Sequence, residues 1–338
     1  MIAAARHALP EFGGVASARP VVLEEDDLEG VRVFCRTDRI SGLLADAVRS
    51  GEIVIETAQE PGDIATSIDD DWHDALHACV LLEALLVRVA EQMDAADIRW
   101  LVTKGPAVAH LDFADPALRT FGDIDLVIHP DDWDRTVAIL ADDSSSHQWH
   151  HRYVRRYGKG VTAMVDGMEV DLHLRFAIGR FGARCRTEEC FDGPGSITLA
   201  GRLIPVPSTP HRMLHACFHA ALGGSREVRA FRDVAQIALG SPEDLETAWR
   251  IADRWKVRAV MAAAIVETWQ RLDLPSGHDV AVRAERVEID RADERALRVF
   301  AHRAGFRRQA LTTLTELPWS ERPRFVGTSW MMGRERRR

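Results

Sequence analysis

The sequence predicts an α+β fold, a small mixed-sheet α/β core flanked by N-terminal helices and a C-terminal helical domain. Three observations predict it. A long amphipathic stretch over 70–96 gives way abruptly to a short apolar run, "IRWLVT". Two later stretches, "GDIDLVIH" and "MEVDLHLRF", alternate apolar and polar residues with a period of two, as a half-buried strand does. From Ser208 onward the apolar residues recur only at three- and four-residue steps. The expected units are 1–95, a helical lead-in; 96–207, the α/β core; and 208–338, a helical domain ending in a basic tail.

The elements follow in order. "LEGVRVFCRTDRISGLLADAVRSG" carries helical spacing, and "EIVIETAQEPGD" runs into turn residues. "DDWHDALHACVLLEALLVRVAEQMDAA" is a helix with an acidic first turn, where the helix dipole favours negative charge. After "IRWLVT" and Lys104-Gly105, "PAVAHLDF" is a short helix, with proline where no backbone N–H is needed. "GDIDLVIH" is a strand and "PDDWDRTVAILADD" an amphipathic helix behind it. "QWHHRYVRRYG" and "VTAMVDGMEVDLHLRF" are expected as strands, with Asp166-Gly167 as a tight hairpin turn. The stretches at 208–222, 226–239, 242–255, 258–272 and 291–317 are helices. No internal repeat interrupts them.

Composition excludes several classes. A formal charge of -9 over 338 residues argues against a general nucleic-acid coat, whose affinity rests on Lys and Arg. Five scattered cysteines, without paired CxxC spacing, read as reduced thiols rather than a zinc site or disulfide framework. No apolar stretch approaches the roughly 20 residues that span a bilayer. A cytoplasmic protein without a membrane partner is expected.

The chemistry concentrates in carboxylates. Asp123 and Asp125 are two residues apart, so an extended chain sends both side chains to one face, where like charges repel. On "MEVDLHLRF", Glu169, Asp171, His173 and Arg175 share a face opposite Val170, Leu172 and Leu174. If the two strands are neighbours, Asp171 joins the pair. Three acids with oxygen ligands suit a hard divalent cation, and such a site suits phosphoryl chemistry. A bare D-x-D more often marks solvated acids at a strand end.

The ordered set Lys104-Gly105, then Arg119 with Gly122-Asp123-Ile124-Asp125-Leu126, then Asp171-Leu172-His173, changes that balance. It resembles the uncharacterised bacterial nucleotidyltransferase family of the DNA polymerase β-type superfamily, in its pattern K-G, R-x-x-G-D-I-D-L and D-L-H. The resemblance covers roughly residues 75–240. It implies a polymerase β-type core and an enzyme that transfers NMP from an NTP co-substrate. The cofactor is Mg2+, with Mn2+ as the alternative. Asp123 and Asp125 match the metal-binding pair, and Asp171 the third carboxylate, which helps deprotonate the acceptor hydroxyl. Gly105 matches the glycine that opens the helix facing the triphosphate. The wider superfamily has a serine after that glycine; here Pro106 follows and Lys104 precedes, which points to Lys104 as a phosphate ligand. Gly122 and His173 are expected at the nucleotide. Arg119 is expected either on a phosphate or on an acid that fixes the loop. The acceptor implied is a small molecule, sugar or peptide; the alternatives are RNA, as for toxin-type relatives, and a non-catalytic nucleotide-binding protein of the same fold.

Two weaker constellations remain. His211, His215 and His219 form a stripe at helical spacing that lacks the glutamate of H-E-x-x-H, and reads first as a packed face, or else as a wall of the cleft. Arg229, Arg232 and Asp233 on the next helix can line the same cleft or form helix-surface pairs. The segment at 150–160 interleaves arginines with both tyrosines and reads as a solvated edge hairpin, or as a surface for RNA.

Overall fold

The computed structural model describes residues 1–10, 20–56, 61–140, 148–223, 227–301 and 306–335. Helix α1 (Ile2–Arg6) is followed by β1 (Val21–Glu24), α2 (Glu25–Thr37), α3 (Ser41–Arg49) and β2 (Ile53–Glu56). The long helix α4 (Pro61–Ala95) leads into β3 (Trp100–Thr103), α5 (Gly105–Asp112) and β4 (Ile124–Ile128). Then come α6 (Trp133–Leu140), α7 (Gln148–Tyr157), β5 (Gly160–Val165), β6 (Met168–His173), α8 (Gly179–Arg184), β7 (Gly195–Leu199) and β8 (Arg202–Val206). The rest is helical: α9 (Thr209–Leu222), α10 (Val228–Ala238), α11 (Pro242–Arg254), α12 (Arg258–Arg271), α13 (Asp279–Glu285), α14 (Arg291–Ala301), α15 (Phe306–Leu311) and α16 (Arg322–Glu335).

The central sheet has the order β3-β4-β6-β5, with β4 and β6 parallel and both outer pairs antiparallel. The Asp166-Gly167 turn closes β5 onto β6 with both residues at positive φ (50° and 78°), the twist that a two-residue hairpin needs. One face of the sheet, with Trp100, Val102, Ile124, Leu126, Ile128, Val170 and Leu172, packs on Leu85, Leu86, Val89 and Met93 of α4. Leu101 and Val127, of opposite parity, belong to a second core with Val108, Phe176, Met213 and Leu214. The earlier part of α4 (Ile64, Ile68, Trp72) joins that second core, so one helix serves both.

This arrangement corrects the expectation of a half-buried strand at β4, whereas β6 keeps the alternation expected of it. All five residues of β4 are buried, because the acid-bearing face lies beneath the C-terminal helices rather than against solvent. A second correction concerns "QWHHRYVRRYG", which is the helix α7 and not a strand. Tyr153, Val154 and Tyr157 recur at helical steps and are buried; both rings pack on Phe325 of α16 (centroids 6.2 and 5.0 Å apart), and Arg156 pairs with Glu321. Arg175 then caps α7 by donating to the carbonyls of Val154, Arg155, Arg156 and Gly158. The hairpin β7–β8 and the parallel pair β1–β2 are elements that sequence reading did not anticipate. All five cysteines are unpaired thiols, and among the described residues no helix is long and apolar enough to cross a membrane.

Candidate active site

The parallel register of β4 and β6 sets Asp125 directly beside Asp171. Adjacent strands lie about 4.8 Å apart, so side chains at one register position and on one face are neighbours. Thr103 on β3 and Thr162 on β5 extend the row to either side. Ligand atoms of Asp125, Asp171 and His173 lie within 4.8 Å of one another, the one such group of three among the described residues.

Asp125 is 2 % exposed, and its Oδ1 accepts from Lys104 Nζ at 2.7 Å and from His173 Nε2 at 2.6 Å. Burial works to raise this carboxyl, but Lys104 and His173 outweigh it and hold it well below the usual carboxylate range. A carboxylate only accepts, so the hydrogen sits on His173 Nε2, and the buried Nδ1 is left without a partner among the described residues. Burial and the charge of Lys159 push His173 down to about 4 despite Asp125, so the ring is neutral at pH 7. Asp171, half-buried, accepts from Thr162 Oγ1 at 2.6 Å.

Asp123 precedes β4 and stands outside this group of three; its Oδ1 faces Arg39 Nη1 at 3.3 Å. Of the expected three acids, the structure therefore brings together Asp125 and Asp171, adds His173, and sets Asp123 on a separate cation. Lys104 occupies an unusual backbone state, φ 52° and ψ −134°, that residues with a Cβ rarely adopt. Gly105 opens α5, whose start has no side-chain cap, and a Cβ there would press on the Phe121 ring at 3.2 Å. Gly122 is exposed, and a Cβ on it would fall on the Arg39 guanidinium.

Arg119 is 4 % exposed and grips Asp233 of α10 with Nε and Nη2 (3.1 and 2.7 Å), while Nη1 donates to the Thr120 carbonyl. Of its two expected roles, the acid pairing is the one the geometry displays. Asp233 thus ties the acid loop to the helical domain and is not part of a helix-surface pair. Arg232, fully buried, reaches the His7 carbonyl and lies over Phe113. His215 and His219 are held well below the usual histidine range, by burial first and then by the charge of Lys104. His215 packs on Phe176 and His211 on Trp255. His211, His215 and His219 do not converge on one cation-binding point among the described residues.

Lys159 follows α7, and its carbonyl accepts from the Leu174 and Arg175 N–H groups at 2.8 and 3.1 Å. Burial and then the charge of Lys104 bring its ammonium down to about 8, against the pull of Asp125, Asp171 and Asp123. Lys159, Arg39 and Thr162 were not singled out from sequence as members of this site, and Asp233 was expected only as a wall of the cleft or in a helix-surface pair. Thr162 alone carried a local signal, because the Asp166-Gly167 turn fixes it opposite Asp171.

Residues 25–270 match the family described as uncharacterised nucleotidyltransferase. The chain also matches the crystal structure of an antigenic nucleotidyltransferase-like protein from Paracoccidioides brasiliensis, at 16% identity and a TM-score of 0.28, covering 54% of this chain and 92% of that one. No curated protein matches it.

Proposed function

The chain belongs to the uncharacterised nucleotidyltransferase family, and from that premise we propose that it transfers NMP from an NTP to a hydroxyl of a small-molecule, sugar or peptide acceptor, with Mg2+. The observation that carries this reading is the in-register pair of Asp125 and Asp171 on adjacent parallel strands. The donor set fits a hard divalent ion: two carboxylates with oxygens within 4.8 Å of each other, one of them held ionised by its surroundings. Asp125 and Asp171 would hold it, with Asp123 as the further carboxylate. When bound, such ions neutralise phosphate charge and polarise the reacting oxygens.

The chain's own groups supply the rest. Lys104 and the uncapped start of α5 bind the phosphate tail, since an ammonium and a helix N-terminus both favour anions. His173, neutral and donating through Nε2, keeps Asp125 from rotating. Thr162 does the same for Asp171, which accepts the proton of the attacking hydroxyl. The acceptor oxygen bonds to the α-phosphorus, the bond from that phosphorus to the bridging oxygen breaks, and pyrophosphate leaves.

Mass spectrometry of a reaction containing four NTPs, Mg2+, a small-molecule extract and total RNA tests the proposal. The expected result is a small acceptor heavier by one NMP less one water, absent with Asp171→Asn. Label incorporated into RNA alone would replace the acceptor class, and an adduct formed equally by the variant would refute the mechanism.

A further inference from the structure

We infer that Arg39, from the turn between α2 and α3, is a phosphate-binding residue of this site, held on Asp123 until a nucleoside triphosphate arrives. The inference rests on the NTP reading above. Arg119, the arginine of the acid loop, has Nε, Nη1 and Nη2 all committed and is nearly inaccessible. The guanidinium that does reach the loop is that of Arg39, 84 residues before Asp123.

Its main chain is fixed from both sides. Arg39 has φ 56°, its carbonyl accepts from Thr120 Oγ1 at 3.1 Å, and the neighbouring Asp38 carboxylate accepts from the Val228 N–H, at the start of α10, at 2.6 Å. Its side chain is held far less firmly. It is 36% exposed, and among the described residues its recorded partner is Asp123, through one 3.3 Å contact. The guanidinium lies flat against Gly122, in space that a Cβ would fill. Beyond Gly122, Phe121 touches Gly105, so Arg39 and the start of α5 flank the same loop.

The charges match an exchange. Lys104 sits on Asp125 and Arg39 on Asp123, two cations on two carboxylates. With a divalent ion on the acids, Lys104 and Arg39 would lose their carboxylate partners, and the anionic oxygens of a triphosphate would offer both cations new ones. A planar guanidinium suits that role, because it can donate two parallel hydrogen bonds to one phosphate. Arg229 of α10 lies at the same corner: it is 8% exposed, its Nη2 donates to Glu227 at 2.6 Å, and its Nε is left without a partner among the described residues.

Two affinities should therefore respond differently to the loss of this side chain. Binding of Mn2+ alone is read by electron paramagnetic resonance. Binding of each of the four ribonucleoside triphosphates with a non-cleavable α,β-methylene bridge is read by calorimetry with Mg2+. Arg39→Gln should weaken the preferred analogue about 10- to 100-fold, the range of lost charge-assisted hydrogen bonds. It should leave Mn2+ binding unchanged or tighter. Arg39→Lys, which keeps the charge and loses the fork, should fall between. Thermal melting establishes that both variants fold, as the exposed side chain predicts. Unchanged analogue binding in a folded Arg39→Gln would overturn the inference, as would equal losses of analogue and Mn2+, which would make Arg39 a structural tie of Asp123. If the unsubstituted protein bound none of the four analogues, the NTP reading itself would fall.

Discussion

Replacing Asp233 by alanine removes the partner of a guanidinium that has nowhere else to go. Arg119 is 4% exposed, and without Asp233 it loses two hydrogen bonds and keeps one, to the Thr120 carbonyl. Breaking a buried pair from one side costs about 3–5 kcal/mol, a large fraction of the ~5–15 kcal/mol that holds a typical domain. Removing both charges should behave differently. Arg119→Met with Asp233→Leu leaves no orphaned charge, and the double variant should lie within about 1 kcal/mol of the parent, since well-packed apolar groups often replace a buried pair without loss. Urea unfolding followed by tryptophan fluorescence gives midpoint and slope for parent, single and double variants. A cost below about 1 kcal/mol for Asp233→Ala, the value of an exposed pair, would refute the argument that this bridge is a buried anchor.

The backbone of Lys104 gives a second expectation. Glycine accepts φ 52°, ψ −134° without strain, so Lys104→Gly should be more stable than Lys104→Ala by about 1–3 kcal/mol, although both lose the ammonium; equal midpoints in urea would contradict this. His173 gives a third, for the metal-free protein. Its folded pKa of about 4 lies below the ordinary 6.5, so the unfolded chain takes the proton first as the pH falls. Stability should drop by about 1.4 kcal/mol per unit from pH 6.5 towards 4 and level off below. Between pH 7 and 5 the parent should therefore lose about 2 kcal/mol more than His173→Gln, and parallel pH profiles would refute the assignment.

What sequence made legible was local. The alternation of 168–173, the Asp166-Gly167 turn and the proline after Gly105 each impose a conformation within a few residues, and each appears where expected. α7 was misread because basic residues between tyrosines suit an edge strand as readily as a helix; α16, more than 160 residues later, supplies the apolar surface that selects the helix. The site divides in the same way. Asp123 and Asp125 stand out because two acids at alternating positions are costly without a purpose, and Asp171 because it shares a strand face with Glu169, His173 and Arg175. Arg39 and Lys159 do not, since an isolated basic residue in a turn is ordinary until the fold carries it to a carboxylate. Arg119 was visible, but its partner lies 114 residues away, and no spacing rule connects them.

The central claim is that Asp125 and Asp171 together hold the ions of a nucleotidyl-transfer site. Anomalous diffraction from crystals soaked with Mn2+ and a non-cleavable NTP analogue tests it most directly. The account predicts an Mn2+ peak ligated by both carboxylates, with Lys104 moved from Asp125 onto the phosphates. A peak elsewhere, or no peak with the Lys104–Asp125 contact intact, would contradict it.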